Sequence, residues 1–124
     1  MAKLLIVDDE ADVREFAANF FRKRKIEVTT AASGEEALGV LEKLAPDLVL
    51  LDIKMGGIDG CETLKRIRAL NNNAKVIMVT GKKPEDDASF ETCKGLGAFD
   101  YIHKPLELDE LEKVVMAQLA KSKK

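Results

Sequence analysis

The chain has no tryptophan, one tyrosine, one histidine and two cysteines in 124 residues. Two isolated thiols without Cys-x-x-Cys spacing make neither a zinc site nor a disulfide framework, so Cys61 and Cys93 are expected to be free thiols, buried or half-buried. Charge of one sign is also missing as a block, since 20 basic residues face 22 acidic ones for a net charge of -2. That balance gives no electrostatic footprint for nucleic acid or for an anionic membrane. Only the Lys121-Ser122-Lys123-Lys124 tail is locally basic, and it reads as a solvated, frayed end. The amino terminus offers one lysine and a short apolar run, too short for the hydrophobic region of a signal peptide, and no stretch approaches a membrane span. A reducing cytoplasm is the expected location. Linkers, low-complexity segments and internal repeats are absent. A chain of this length is expected to form one domain, residues 1–124, burying roughly two thirds of its unfolded surface without staples.

What is present is a regular alternation. Apolar runs recur at Leu4 to Val7, Val28 to Ala31, Leu48 to Leu51, Val76 to Val79 and around Tyr101-Ile102, and most of the stretches between them carry helical periodicity. In the first, Glu10 to Lys25, the residues Val13, Phe16, Ala17, Phe20 and Phe21 repeat as the stripe of a helix packed on one face, and these aromatics read as core rather than as a cofactor box. The second helix is expected to start at Ser33, with Glu36 completing a capping box, and to end before Pro46. The third starts at Asp59 and ends in Asn71-Asn72-Asn73. The fourth has Pro84 at its first position, an acidic first turn, thin apolar content and Gly95 and Gly97 at its close, which predicts a weakly held helix. The last, Glu107 to about Lys121, carries Leu108, Leu111, Val115 and Leu119 on one side. Strands alternating with helices through short turns predict a five-stranded parallel sheet, doubly wound, with helices on both faces.

In such a sheet ligands bind beyond the carboxyl ends of the strands. Asp8 and Asp9 follow the first run, Asp52 ends the third, Thr80 the fourth and Lys104 the fifth, so all face one rim. Taken alone, Asp9 is a competent helix cap and Asp52 a strand-end turn residue. Together they are more specific. Crowded carboxylates push one another's pKa up, and a hard divalent cation removes that cost. Magnesium keeps several waters and accepts one or two carboxylates, a carbonyl and a phosphoryl oxygen. The same ion neutralises charge on a transferring phosphoryl group, and a carboxylate is a chemically competent covalent acceptor of it.

Asp8-Asp9, Asp52, Met55-Gly56-Gly57-Ile58-Asp59-Gly60, Thr80-Gly81 and Lys104-Pro105 together resemble the receiver domain of two-component response regulators, including the chemotaxis type, over nearly the whole chain. The resemblance implies a flavodoxin-like strand order 2-1-3-4-5. It implies that Asp52 takes a phosphoryl group from the phosphohistidine of a sensor histidine kinase or phosphotransfer protein. Asp9 and Asp52 would be direct carboxylate ligands of magnesium, or of manganese in its place, with Asp8 acting through water and the Lys54 backbone carbonyl completing the protein's share. Lys104 would pair with the phosphoryl oxygens and Thr80 would hydrogen-bond to one of them. Tyr101 matches the aromatic switch position, turning inward as Thr80 moves toward Asp52 and changing the face built by the fourth helix, the fifth strand and the fifth helix. The chain would catalyse its own phosphorylation and dephosphorylation without turning over outside substrates. Its partners would be the kinase and a downstream protein or attached output domain, and phosphorylation-dependent dimerisation stays open.

Departures from the family pattern stand beside these matches. Gly56 replaces the usual proline and Gly81 the usual alanine, while Lys54 and Lys82 occupy positions that influence how fast water attacks the acyl phosphate. His103 is a lone imidazole and reads as packed or solvent-facing. A magnesium-dependent phosphatase of the haloacid dehalogenase type would need a second acid where Lys54 stands. A phosphate-independent binding module would be expected to lack an acid, the threonine or the lysine. Nucleotide or flavin binding finds no glycine-rich phosphate loop after any strand. The chain ends about one helix after Lys104-Pro105, which leaves both a stand-alone protein and a fragment of a longer regulator open.

Overall fold

A computed structural model describes residues 2–52, 60–70, 75–80, 95, 100–103 and 107–122. Strands β1 (Lys3–Val7), β2 (Glu27–Ala31), β3 (Leu48–Asp52), β4 (Lys75–Thr80) and β5 (Asp100–His103) form one sheet in the order β2-β1-β3-β4-β5. Every pairing in it is parallel. Helices α1 (Ala11–Arg22), α2 (Gly34–Lys43), α3 (Gly60–Ala69) and a C-terminal helix (Leu108–Ser122) accompany the strands. The doubly wound α/β architecture and the strand order agree with expectation. The helix expected over 84–97 lies outside the described residues apart from Gly95.

Side-chain alternation along the strands divides the core into two layers. Leu4 and Ile6 of β1 and Leu48 and Leu50 of β3 pack with Ala17, Ala18 and Phe21 of α1 and with Leu111, Val115 and Leu119 of the C-terminal helix. Leu5 and Val7, with Val49 and Leu51, pack with Ala37 and Leu41 of α2 and with Cys61, Leu64 and Ile67 of α3. Because helices cover both faces, β3 has no solvent side, and all five of its residues are buried. That is the reason its sequence is an unbroken aliphatic run. Edge strand β2 is only partly buried, and its Glu27 is exposed.

Helix α1 departs from the expected stripe. Ala17, Ala18 and Phe21 are buried, Phe20 is half-buried, and Phe16 is 57% exposed. At roughly 100° per residue, the buried set centres between positions 17 and 18, which turns position 16 to the far side. Phe16 therefore does not join the core. The helix closes in a Schellman turn, in which the Ile26 N–H donates to the Phe21 carbonyl (3.3 Å) and the Lys25 N–H to the Arg22 carbonyl (3.1 Å). Lys25 occupies the left-handed position at φ 62°. Phe21 and Ile26, both buried, supply the apolar contact that accompanies this motif. Just beyond the helix, the Arg24 guanidinium lies 3.6 Å from the Phe20 ring centroid and pairs with Glu112 of the C-terminal helix at 2.6 Å.

The start of α2 is as expected, since the Ser33 hydroxyl accepts from the Glu36 N–H at 3.1 Å. One expectation fails in α3. Cys61 is buried, but it is disulfide-bonded rather than a free thiol. The other cysteine of the sequence, Cys93, lies outside the described residues.

Candidate functional site

Strand register sets the site. Val7 is paired with Leu51, Asp52 with Val79, and Thr80 with His103. The chain therefore leaves β1 at Asp8 on the same edge where β3 ends in Asp52 and β4 in Thr80, with neighbouring strands about 4.8 Å apart. Two charged residues are withdrawn from water at this edge, Asp8 at 4% exposure and Asp52 at 2%. Ordinary carboxylates avoid such burial, because desolvation disfavours their charged form unless hydrogen bonds or a cation offset it.

Asp8 is held from several directions. Its N–H donates to the Ala31 carbonyl at 3.1 Å, its Oδ1 accepts from the Glu10 N–H at 2.9 Å, and its carbonyl accepts from Arg14 Nη1 at 2.8 Å. The carboxylate thus closes a turn two residues on, in the manner of an Asx turn, and fixes the loop between β1 and α1. Glu10 occupies the N-cap of α1 but makes no side-chain capping bond. One plain explanation of the acidic run, a carboxylate capping this helix from the N-cap position, is therefore not what the geometry uses.

Asp8, Asp9 and Glu10 each offer a carboxylate oxygen, and these atoms lie within 4.8 Å of one another. Asp9 and Glu10 are exposed, so the cluster opens to solvent on one side and is anchored on the other by buried Asp8. Three hard oxygen donors so close repel one another when ionised, and they suit a hard divalent cation that completes its shell with water. Sequence reasoning carried Asp8 and Asp9 into the site but left out Glu10. The signal was present, since Glu10 continues the same acidic run. Arg14 was also missed, because a guanidinium reaching back to a backbone carbonyl leaves no periodic trace.

The remaining candidates stand differently. Thr80 and Tyr101 hold rim and register positions in β4 and β5, where Tyr101 pairs with Met78. Lys54 and Lys104, with Gly56, Gly81 and Lys82, lie outside the described residues. Among the described residues no helix is long and apolar enough to cross a membrane.

Comparison with known proteins agrees with this arrangement. The response regulator receiver domain family matches residues 4–116. Sporulation initiation phosphotransferase F of Bacillus subtilis is 38% identical over 117 residues, which cover 94% of this chain and 93% of that protein. Several other curated relatives are longer, and this chain spans about a quarter to a half of their length. Among solved structures, the receiver domain of the Francisella response regulator 1452 superposes with a TM-score of 0.88 at 31% identity, covering 99% of this chain and 100% of that one. The response regulator TrrA of Thermotoga maritima, solved with magnesium and beryllofluoride, superposes at 0.81 with 35% identity, covering 95% of this chain and 99% of that one. A family match across most of the chain, a parallel sheet in the order 2-1-3-4-5 and an acidic cluster at its carboxyl edge lead to one statement: the chain belongs to the response regulator receiver domain family.

Proposed function

We propose that residues 1–124 act as one receiver unit, a phosphorylation-activated signalling switch in which Asp52 is the phosphoacceptor. A carboxylate oxygen of Asp52 attacks the phosphorus of a phosphohistidine on a sensor kinase or phosphotransfer protein. The phosphorus–nitrogen bond breaks, and its electron pair returns to the imidazole. Little covalent work is left to the protein, whose task is positioning and charge stabilisation.

The residues that would hold magnesium, or manganese in its place, are Asp9 and Asp52 directly, Asp8 through water and the Lys54 carbonyl. Glu10 lies close enough to Asp9 to add to the negative field. When bound, such an ion supplies counter-charge for the phosphoryl oxygens. Lys104 contributes a compact ammonium to the same oxygens, and the Thr80 hydroxyl a donor that follows the new group. Movement of Thr80 toward Asp52, with Tyr101 turning inward, then shifts the population toward a form whose face around β5 and the C-terminal helix fits a downstream protein, an output domain or a second copy. Water attacks the acyl phosphate in turn and resets the switch. A cytoplasmic location places the domain with the kinase's phosphohistidine.

The observation that carries this reading is buried Asp52 at the end of the central strand, on the edge where Asp8, Asp9 and Glu10 cluster. Incubation with magnesium and acetyl phosphate, followed by intact-mass measurement, tests it. The wild type is expected to gain one phosphoryl group and Asp52→Asn none. Equal gain in both proteins would overturn the assignment.

A further inference from the structure

Arg14 is half-buried near the start of α1, and its Nη1 donates to the Asp8 carbonyl at 2.8 Å. That carbonyl belongs to the peptide group joining Asp8 to Asp9. A peptide group is planar, so a bond that constrains its carbonyl also constrains the direction in which the Asp9 backbone leaves it. Two further bonds complete the turn. Asp8 Oδ1 accepts from the Glu10 N–H at 2.9 Å, and the Glu10 carbonyl accepts from the Arg14 N–H at 3.0 Å. Asp9 lies within the segment these three bonds enclose. Its side chain is exposed, so packing does little to hold it and the backbone on either side does the positioning. The helix that carries Arg14 is seated in the core by Ala17, Ala18 and Phe21, which gives the guanidinium a firm base.

We propose that Arg14 is a positioning residue for the divalent cation: by gripping the Asp8–Asp9 peptide it keeps the Asp9 carboxylate in place for the ion and so sets the affinity for magnesium. This rests on the reading of Asp8 and Asp9 as carboxylates of the metal site. Two effects of the guanidinium oppose each other. Its hydrogen bond preorganises a ligand, and outer partners of metal ligands are worth about 10–100-fold in affinity. Its positive charge repels a second cation, but Asp9 and Glu10 open the cluster to solvent, where a screened pair of charges is worth up to about five-fold. Positioning therefore wins, at the lower end of its range because Arg14 reaches the ligand through backbone. The bond also suits arginine better than lysine, since a planar guanidinium presents its donors in a fixed geometry.

Magnesium titration of the unphosphorylated chain by calorimetry, with no phosphodonor present, tests this directly. Arg14→Met keeps an apolar stem and loses donor and charge together, and it is expected to bind magnesium about ten-fold more weakly than wild type. Arg14→Lys, which keeps the charge and a donor without the planar fork, is expected to fall between the two. Added potassium chloride screens the charge effect and not the hydrogen bond, so the ratio of wild-type to Arg14→Met affinity should hold or widen. In phosphate uptake from acetyl phosphate, the magnesium concentration at half-saturation should rise by the same factor, while the rate at saturating magnesium stays that of the wild type. A role confined to helix stability would lower the unfolding temperature of Arg14→Met and leave its magnesium affinity unchanged, which would overturn the proposal. So would tighter binding by Arg14→Met, which would make the guanidinium a plain repelling charge, or a loss confined to the saturating rate. Should Arg14→Met not fold, Arg14→Lys and wild type carry the test, and equal affinity in those two overturns it. Failure of the wild type to bind magnesium would bring down the reading of the acidic site and this proposal with it. Phosphate uptake by Asp52→Asn would bring down the phosphoacceptor alone and leave the titration to decide the role of Arg14.

Discussion

The two ends of the sheet use the same residue type for opposite purposes. At the amino end, the Asp47 Oδ2 accepts from the Lys3 N–H at 2.8 Å while the Asp47 N–H donates to the Lys3 carbonyl at 2.8 Å. Beside it the Glu27 N–H donates to the Ala2 carbonyl at 2.9 Å, and the Schellman turn of α1 delivers Ile26 into the core. Among the described residues, these polar groups are matched to one another through backbone. At the carboxyl end, Asp8 is matched to backbone as well, but Asp9 and Glu10 are exposed and face it within 4.8 Å. Strand direction accounts for the difference. Parallel strands all finish on one edge, so the loops that follow them converge there, whereas the opposite edge only receives chain arriving from helices. On the proposed function, chemistry gathers at the first edge and stability at the second.

The sharpest way to break that contrast is Asp52→Asn. It is expected to abolish phosphate uptake from acetyl phosphate entirely, with little loss of stability because a buried carboxylate is replaced by a neutral group of the same shape. Phosphorylation at full rate in this variant would show that the carboxyl edge is not the chemical one. Next in size is Asp9→Asn. Magnesium at about 100 times its Kd should stabilise the wild type by about 2.7 kcal/mol. Thermal unfolding with and without the ion is expected to show most of that gain lost in the variant, and an equal gain in both proteins would remove Asp9 from the site.

How far the sequence told these edges apart depends on the residue. Aliphatic runs announced β1, β3 and β4 most clearly, because a doubly covered sheet needs apolar side chains on both faces, and β3 is buried throughout. The Ser33 cap was legible for the same kind of reason, a local hydrogen bond with fixed spacing. The burial of Asp8 and Asp52 was not, since solvent access is decided by elements far apart in the chain. Phe16 misled because an apolar residue that falls at helical spacing need not fall on the buried arc. The Cys61 disulfide escaped because an isolated cysteine outside any Cys-x-x-Cys spacing carries no pairing signal.

A smaller effect separates the ends in the other direction. Asp47→Ala leaves the half-buried Lys3 N–H without its carboxylate acceptor and is expected to cost about 1–2 kcal/mol in urea unfolding. Its rate of phosphate uptake should equal that of the wild type. A large loss of uptake with unchanged stability would mean that the amino edge takes part in the chemistry after all.

The mildest test concerns Lys25, which holds φ 62° at the position after α1 where glycine is the usual occupant. A side chain with a Cβ pays for that backbone geometry, and the two hydrogen bonds of the Schellman turn, together with the contact of Phe21 and Ile26, hold it in place. Glycine adopts the same conformation without the steric cost but loses more freedom on folding, so the two effects oppose each other. Because the turn demands the left-handed region outright, relief of strain should win, and Lys25→Gly is expected to raise unfolding stability by roughly 0.5–1 kcal/mol. Phosphate uptake should not change, since the substitution lies at the end of the sheet opposite Asp52. A destabilised variant would show that entropy outweighs strain at this turn, and that the lysine side chain contributes contacts beyond its backbone.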